Sequence, residues 1–174
     1  MIGTTHSTVG ALVGAIVGQQ TGNWWVGAAV GAFGGLLPDI DDPNTTVGHV
    51  LPFFSYPLNK LFGHRSYTHT IWFAVIIGVL TQWLSTSYIV PYLHSFMLKE
   101  LFMSVTVNTI VVPLVMGIMT HLALDSMTRT GIYPLLPIKW QLRGPVFTGS
   151  YIDYAIAMGC SLILVGWIGI TFLK

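Results

Sequence analysis

The sequence predicts an all-α fold: a multi-pass integral membrane helical bundle of about five membrane-embedded helices, opening with a short Gly-rich helical hairpin. Three observations predict it. The 174 residues are 53% hydrophobic and only 7% charged, with a mean hydropathy of +0.71. A soluble domain carries roughly 25% charged residues, so this chain lacks the polar surface to stay dispersed in water. The apolar residues gather into five segments, and glycine recurs every fourth position along the first two. The length corresponds to about one domain, so residues 1–174 read as one membrane-embedded unit.

The elements follow in order. The first two segments, Thr8–Val17 and Trp24–Leu37, are separated by the polar turn "GQQTGN". Each is short for a crossing, so the pair is expected to tilt, to thin the bilayer, or to form a re-entrant hairpin. Gly10, Gly14 and Gly18 form a stripe on one, and Gly27, Gly31 and Gly35 form a stripe on the other. That spacing lets helix backbones approach closely in lipid. Antiparallel packing along the stripes brings His6 and Asp39 to one end. The third, fourth and fifth segments are Thr70–Leu84, Val105–Leu124 and Tyr151–Leu173. The last two approach the roughly 20 residues a helix needs to cross a bilayer. Between them, residues 51–63 mix aromatics with two prolines and a lysine, as an interfacial segment would. Residues 91–103 have a helical period with Lys99 and Glu100 on the polar side. Residues 128–150, punctuated by Pro and Gly, read as a structured surface loop.

Charge and cysteine content narrow the function classes. A net charge of +1 without a basic patch argues against a nucleic-acid partner. The single cysteine, Cys160, rules out an internal disulfide and a Cys-based metal site. No Lys or Arg precedes the first apolar stretch, so the start does not read as a cleavable signal peptide. A hairpin followed by three crossings puts His6, the 38–68 loop, His121, Asp125 and the 128–150 loop on one side. Five of the seven basic residues share that side (Lys60, Arg65, Arg129, Lys139, Arg143), against Lys99 and Lys174. The positive-inside rule makes it the cytoplasmic face of the cell (inner) membrane.

Four polar clusters sit at the ends of apolar segments: "TTH" with His6, "PDIDD" with Asp39, Asp41 and Asp42, "GHRSYTH" with His64, Arg65 and His69, and "HLALD" with His121 and Asp125. Imidazole nitrogens and carboxylate oxygens are hard or borderline metal ligands. His121 and Asp125, four apart, share one helix face. A buried charge beside lipid is costly unless paired, so Asp125, after a long apolar run, is a functional candidate. One or more divalent cations would offset several carboxylates together. Asp42, before Pro43, reads as a turn residue, and His49 and His94 read as structural or interfacial. Asp153 either supports ligands from behind or is a favourable charge at a helix N-terminus. There is no HExxH, no GxSxG elbow, no P-loop and no GxGxxG with an acidic partner.

Taken in this order, "TTH", "LLPDIDDP", "GHRSYTHT" and "HLALDSMTRTGIYPLLP" resemble the YdjM-like family of predicted membrane-bound, metal-dependent hydrolases, over essentially the whole chain. That family is grouped with zinc-dependent phospholipase C and P1-type nucleases. The resemblance implies metal ligation by His6, Asp39, His64, His69, His121 and Asp125, with zinc the leading ion and manganese or iron the alternatives. Relatives show a Glu after the "TGS" motif where this chain has Asp153. The expected function is hydrolysis of a phosphoester, of a phospholipid or lipid-linked substrate in the bilayer, by a metal-activated water. In that scheme Asp41 or Asp39 accepts the water's proton, and Arg65, Arg129 and Arg143 hold the phosphate. The competing expectation is a non-enzymatic membrane protein, either a metal-ion carrier or a scaffold, using the same His/Asp cluster. A carrier should place its ligands near the bilayer midplane.

Overall fold

The computed structural model describes residues 1–63, 65, 67–95 and 104–172. Helix α1 (Gly3–Thr21) turns at Gly22 into α2 (Trp24–Leu36). Gly22 has φ 123°, a region that side chains rarely enter. The Asn23 side chain caps α2 by accepting from Val26 N at 3.1 Å. The two helices are antiparallel and nearly touch backbone to backbone. A Cβ built on Gly14 would lie 2.2 Å from the Gly27 carbonyl oxygen, and one on Gly35 would lie 2.3 Å from that of His6. The glycine stripes therefore face one another as the sequence expects.

After α2, Pro38 enters a 3-10 turn (Leu37–Asp41), followed by α3 (Thr46–Val50) and α4 (Pro52–Phe62). A second 3-10 turn (Tyr67–His69) leads into α5 (Ile71–Leu84), whose N-cap Thr70 accepts from Phe73 N. A π-helical turn (Ser85–Ile89) joins α5 to α6 (Val90–Ser95). Helix α7 (Val107–Ser126) packs against α1, α2 and α5 and is the centre of the bundle. At their closest point α7 also uses glycine: a Cβ on Gly117 would meet the Gly31 carbonyl oxygen at 2.3 Å. Leu37, Ala74, Leu114 and Ile118 fill the core beside this crossing. Helix α8 (Tyr151–Phe172) packs on α1.

The fold is all-helical, with no strand among the described residues. One expectation is corrected. Among the described residues three helices are long and apolar enough to cross a membrane, the composite Ile71–Ser95, Val107–Ser126 and Tyr151–Ile170, against about five membrane-embedded helices expected. The hairpin falls short: α2 has 13 residues, about 20 Å at 1.5 Å per residue, against roughly 30 Å of hydrocarbon. A hairpin returns its ends to one side whether or not it crosses, so the expected grouping of the polar clusters on one side does not depend on this count. Large apolar side chains on α5 and α8, including Val75, Val79, Leu162 and Val165, stay exposed, as lipid-facing residues do.

Helix α4 exposes Phe53, Phe54, Tyr56 and Leu61, matching the interfacial reading of residues 51–63. Of the 91–103 segment, His94 Nε2 stands 2.9 Å from the Val105 carbonyl oxygen, while Lys99 and Glu100 lie outside the described residues. The 128–150 loop is tied by isolated bridges, Thr128 with Val146 and Ile132 with Leu142.

Asp153 settles into a structural role. It is fully buried and accepts from Ile2 N at 3.0 Å, Gly149 N at 2.9 Å and the Thr5 hydroxyl. It thereby joins α1, the surface loop and α8. Asp153→Ala should leave three donors without their acceptor and cost about 3 kcal/mol or more, since hydrogen bonds to charged groups contribute roughly 1.5–3 kcal/mol each. Thermal unfolding in mild detergent reads this out, with metal content per folded molecule expected to be unchanged.

Candidate metal centre

Five elements deliver the polar side chains to one point. The first turn of α1 supplies His6, the turn after Pro38 supplies Asp39, and the turn before α5 supplies His69. The last two turns of α7 supply His121 and Asp125. The segment before Tyr67 adds Arg65, whose φ of 61° is a strained value for a side-chain-bearing residue.

The donor atoms converge. His69 Nε2 and His121 Nε2 are 3.2 Å apart. Asp39 Oδ1 is 3.6 Å from each, and Asp125 Oδ2 is 3.8 Å from His69 Nε2 and 3.9 Å from His121 Nε2. Two nitrogens on one ion at about 2.0–2.1 Å with tetrahedral angles would be about 3.3–3.4 Å apart. Asp39, His69 and His121 therefore present three donors at spacings that could hold one divalent cation. His6 extends the set: its ring stacks on His121 at 3.7 Å, and its Nε2 is 3.2 Å from Asp125 Oδ1. Two overlapping groups, His6–His121–Asp125 and Asp39–His69–His121, each keep their donors within 4.8 Å.

Orphaned polar atoms point the same way. His6 Nδ1 is buried with no hydrogen-bond partner, while His6 Nε2 and Asp125 Oδ2 meet only the charged contacts to Asp125 Oδ1 and Arg65 Nη2. A protein rarely leaves such groups unsatisfied. The tautomer of His121 also suits ligation. Its Nδ1 lies 2.7 Å from the Gly35 carbonyl oxygen, so Nδ1 carries the proton and Nε2 offers its lone pair to the cluster.

Charge around the centre is balanced by close pairs. Arg65 Nη2 lies 2.9 Å from Asp125 Oδ2, and the Met1 amino group contacts Asp125 Oδ1. Burial would raise the Asp39 carboxyl, but the facing imidazoles of His69, His121 and His6 hold it below its ordinary value. Burial opposes protonation of His69, yet Asp39 and Asp41, 3.6 Å from its two ring nitrogens, raise it to about 9.

Asp41 stands on the opposite edge of the His69 ring from Asp39. Its Oδ2 accepts from Arg65 N at 3.0 Å and from the Thr68 hydroxyl, and it faces His69 Nδ1. It orients His69 from behind, as carboxylates behind ligating histidines do. Asp41→Asn should weaken metal binding by about 10- to 100-fold while the helical content stays the same, measured by competitive chelator titration and circular dichroism.

Two further expectations are corrected. Arg129 lies over the Phe147 ring at 3.9 Å, and Arg143 is exposed. Neither lines the cavity of about 350 Å3 that opens above Asp39 and Arg65. The surface loop folds its own arginines outward. His64 lies outside the described residues. Asp42 forms a turn, accepting from Asn44 N at 2.9 Å, and His49 is exposed on α3.

Sequence reasoning missed the hydroxyls that brace these ligands. Thr68 bonds Asp41, and Thr128 donates to the Asp125 carbonyl oxygen at 2.7 Å while lying 3.3 Å from Arg65 Nη1. The available signal was a threonine beside His69 and another three residues after Asp125.

Comparison with known proteins agrees with this membrane architecture. The family described as YdjM inner membrane protein matches residues 1–173. "Uncharacterized protein YvsG" of Bacillus subtilis is 29% identical over 170 residues, 93% of this chain and 91% of the relative. "Inner membrane protein YdjM" of Escherichia coli is 28% identical over 142 residues, 79% of this chain, and the match spans only 64% of that relative's length. No solved structure matches the chain.

Proposed function

The chain belongs to the YdjM inner membrane protein family, and from that premise we propose that it is a membrane-bound, metal-dependent hydrolase acting on the phosphoester of a lipid or lipid-linked substrate. The multi-pass helical architecture and inner-membrane location are common ground for any reading of it. The convergence of His69, His121, Asp39 and Asp125 donors within 3.2–3.9 Å carries the proposal. The grouping of the YdjM-like family with zinc-dependent phospholipase C, expected from the sequence resemblance, suggests the reaction class.

Those four residues hold the cation, with His6 adding a donor. A divalent cation there supplies Lewis acidity and an activated water at neutral pH. Zinc suits the nitrogen and carboxylate donors best, with manganese or iron as alternatives. Asp39 is at the edge of the polar cavity and, of the clustered carboxylates, is the one that lines it and can take up a proton. Arg65 lines that cavity and can hold a phosphate oxygen with its planar guanidinium. Gly35, Asp41 and Thr68 keep the imidazoles oriented. The basic residues on this side favour a cytoplasmic face.

A scaffold that uses the cluster only for cohesion is the rival, and the Arg65–Asp125 ion pair favours it. A carrier fits less well, because the donors gather at helix ends rather than at midplane. Detergent-purified protein should be stripped with EDTA, resupplied with zinc, manganese or iron, and offered phospholipids and water-soluble phosphodiesters. Metal-dependent product release that is lost in Asp39→Asn is expected. Stoichiometric metal without turnover of any phosphoester would leave the scaffold.

A further inference from the structure

An apolar groove of about 210 Å3 lies between α4 and the first turns of α5. Leu58 and Phe62 form its α4 wall, and Phe73 and Ile76 form its α5 wall. Its outer rim is exposed: Ile76 faces out, and Tyr67 packs edge to face on Phe62 at 5.2 Å. Its inner end is closed by buried Asp41 and Thr68, the pair behind His69. The polar cavity above Asp39 and Arg65 flanks the other side of the same contact, because Arg65 N donates to Asp41 Oδ2 at 3.0 Å.

We infer that this groove holds an acyl chain of a membrane lipid whose head group enters the polar cavity. The inference rests on the hydrolase reading for the identity of that head group alone. The occupant follows from position. The groove is continuous with the bilayer-facing surface of α5, where Val75, Val79, Leu80 and Trp83 are exposed. From Thr70 to Ile76 it descends about 9 Å along the helix at 1.5 Å per residue, from the level of the His/Asp cluster into the hydrocarbon. A lipid that raises its phosphate to the cluster draws its upper methylenes out of the hydrocarbon. Leaving those methylenes in water is unfavourable in proportion to the apolar area exposed, and an apolar wall at this depth covers them. At its closed end the Thr68 hydroxyl donates to Asp41 Oδ2, and the Thr70 hydroxyl donates to the Tyr67 carbonyl oxygen at 2.7 Å, which leaves the Leu58, Phe62, Phe73 and Ile76 walls to a chain without polar atoms.

Photolabelling tests it. The full-length protein is reconstituted in vesicles of phosphatidylethanolamine and phosphatidylglycerol. A phosphatidylcholine with a diazirine midway along one acyl chain is the minor component. Crosslinked peptides are mapped by mass spectrometry. Labelling should concentrate severalfold on the α4 and α5 walls over the outer face of α8, which reports bulk lipid. Ile76→Trp or Leu58→Trp, checked for unchanged melting, should abolish that excess while α8 labelling persists. Equal labelling of groove and α8 in the unsubstituted protein would overturn the inference without recourse to any variant. So would an excess that both groove-filling variants leave intact. Labelling metal-stripped protein in parallel keeps the two readings apart. A groove excess without any metal-dependent turnover sinks the hydrolase alone, and turnover without a groove excess sinks the chain site alone.

Discussion

Asp125→Asn is expected to lower metal affinity by more than about 100-fold, beyond the 10- to 100-fold cost of losing a residue that merely supports a ligand. Asp125 faces the centre with both oxygens. Oδ1 meets His6 Nε2 at 3.2 Å, while Oδ2 stands 3.8–3.9 Å from His69 and His121. Asparagine keeps the shape but removes the negative charge and one acceptor. The main-chain anchor, the Thr128 hydroxyl on the Asp125 carbonyl oxygen, is untouched. The pattern of thermal unfolding then separates a metal centre from a scaffold held by the ion pair alone. A ligand at free concentration c that binds only the folded state stabilises it by RT ln(1 + c/Kd), so a higher Kd means less stabilisation at the same free metal. The variant should therefore melt well below wild type with metal present, and the gap should narrow in EDTA. A scaffold held by the Arg65–Asp125 pair predicts the same gap in both, about 3–5 kcal/mol for a buried pair broken on one side. Because Arg65 remains partly exposed, with 18% side-chain exposure, that figure is an upper bound.

Gly31→Ala should be strongly damaging, because Gly31 sits where three helices meet. Its Cβ would fall 2.3 Å from the Gly10 carbonyl oxygen and 2.7 Å from the Gly14 Cα. These are backbone atoms, so no side chain can rotate away. The α1 and α2 backbones must separate, and α7 follows because Gly117 rests on the Gly31 carbonyl. Overpacking of a core typically costs about 1–3 kcal/mol, and contact with rigid backbone belongs at or above the top of that range. Function should suffer beyond stability, because the same crossing sets His6 against Asp39 and His121. The expected result is a large fall in melting temperature and weaker metal binding in whatever remains folded. Gly159→Ala is the control: nothing lies within 4 Å of the Cβ it would add, so melting and metal content should both stay as in wild type.

Much of the fold was legible because the apolar runs coincide with helices closed by side-chain caps. The segments expected at 24–37, 70–84 and 151–173 appear as Trp24–Leu36, Ile71–Leu84 and Tyr151–Phe172. The first segment was read too short. Thr4, Thr5, His6, Gln19 and Gln20 are polar, yet α1 runs from Gly3 to Thr21. Packing against α2 carries the helix through residues that hydropathy would exclude. The hairpin does not qualify as two crossings because α2 has only 13 residues and α1 carries polar residues at both ends.

The cluster was legible for a different reason. Pro38 and the glycine stripe constrain where Asp39 emerges, and the i, i+4 spacing puts His121 beside Asp125. The role of Asp41 was not legible, because a 3-10 turn decides which of two acids, two positions apart, faces the cluster and which stands behind His69. Arg129 and Arg143 could not be placed by composition either. Their direction depends on how the 128–150 loop closes on itself, and there Arg129 stacks on Phe147 instead of reaching the cavity.

The central claim is that the buried histidines and aspartates bind a metal. Elemental analysis of the protein purified in mild detergent, followed by unfolding with and without chelator, tests it most directly. The account predicts a stoichiometric zinc, manganese or iron that EDTA removes, with a clear drop in melting temperature that the same metal restores. Preparations that carry none of these metals, take up none when supplied, and melt alike with and without EDTA would contradict it.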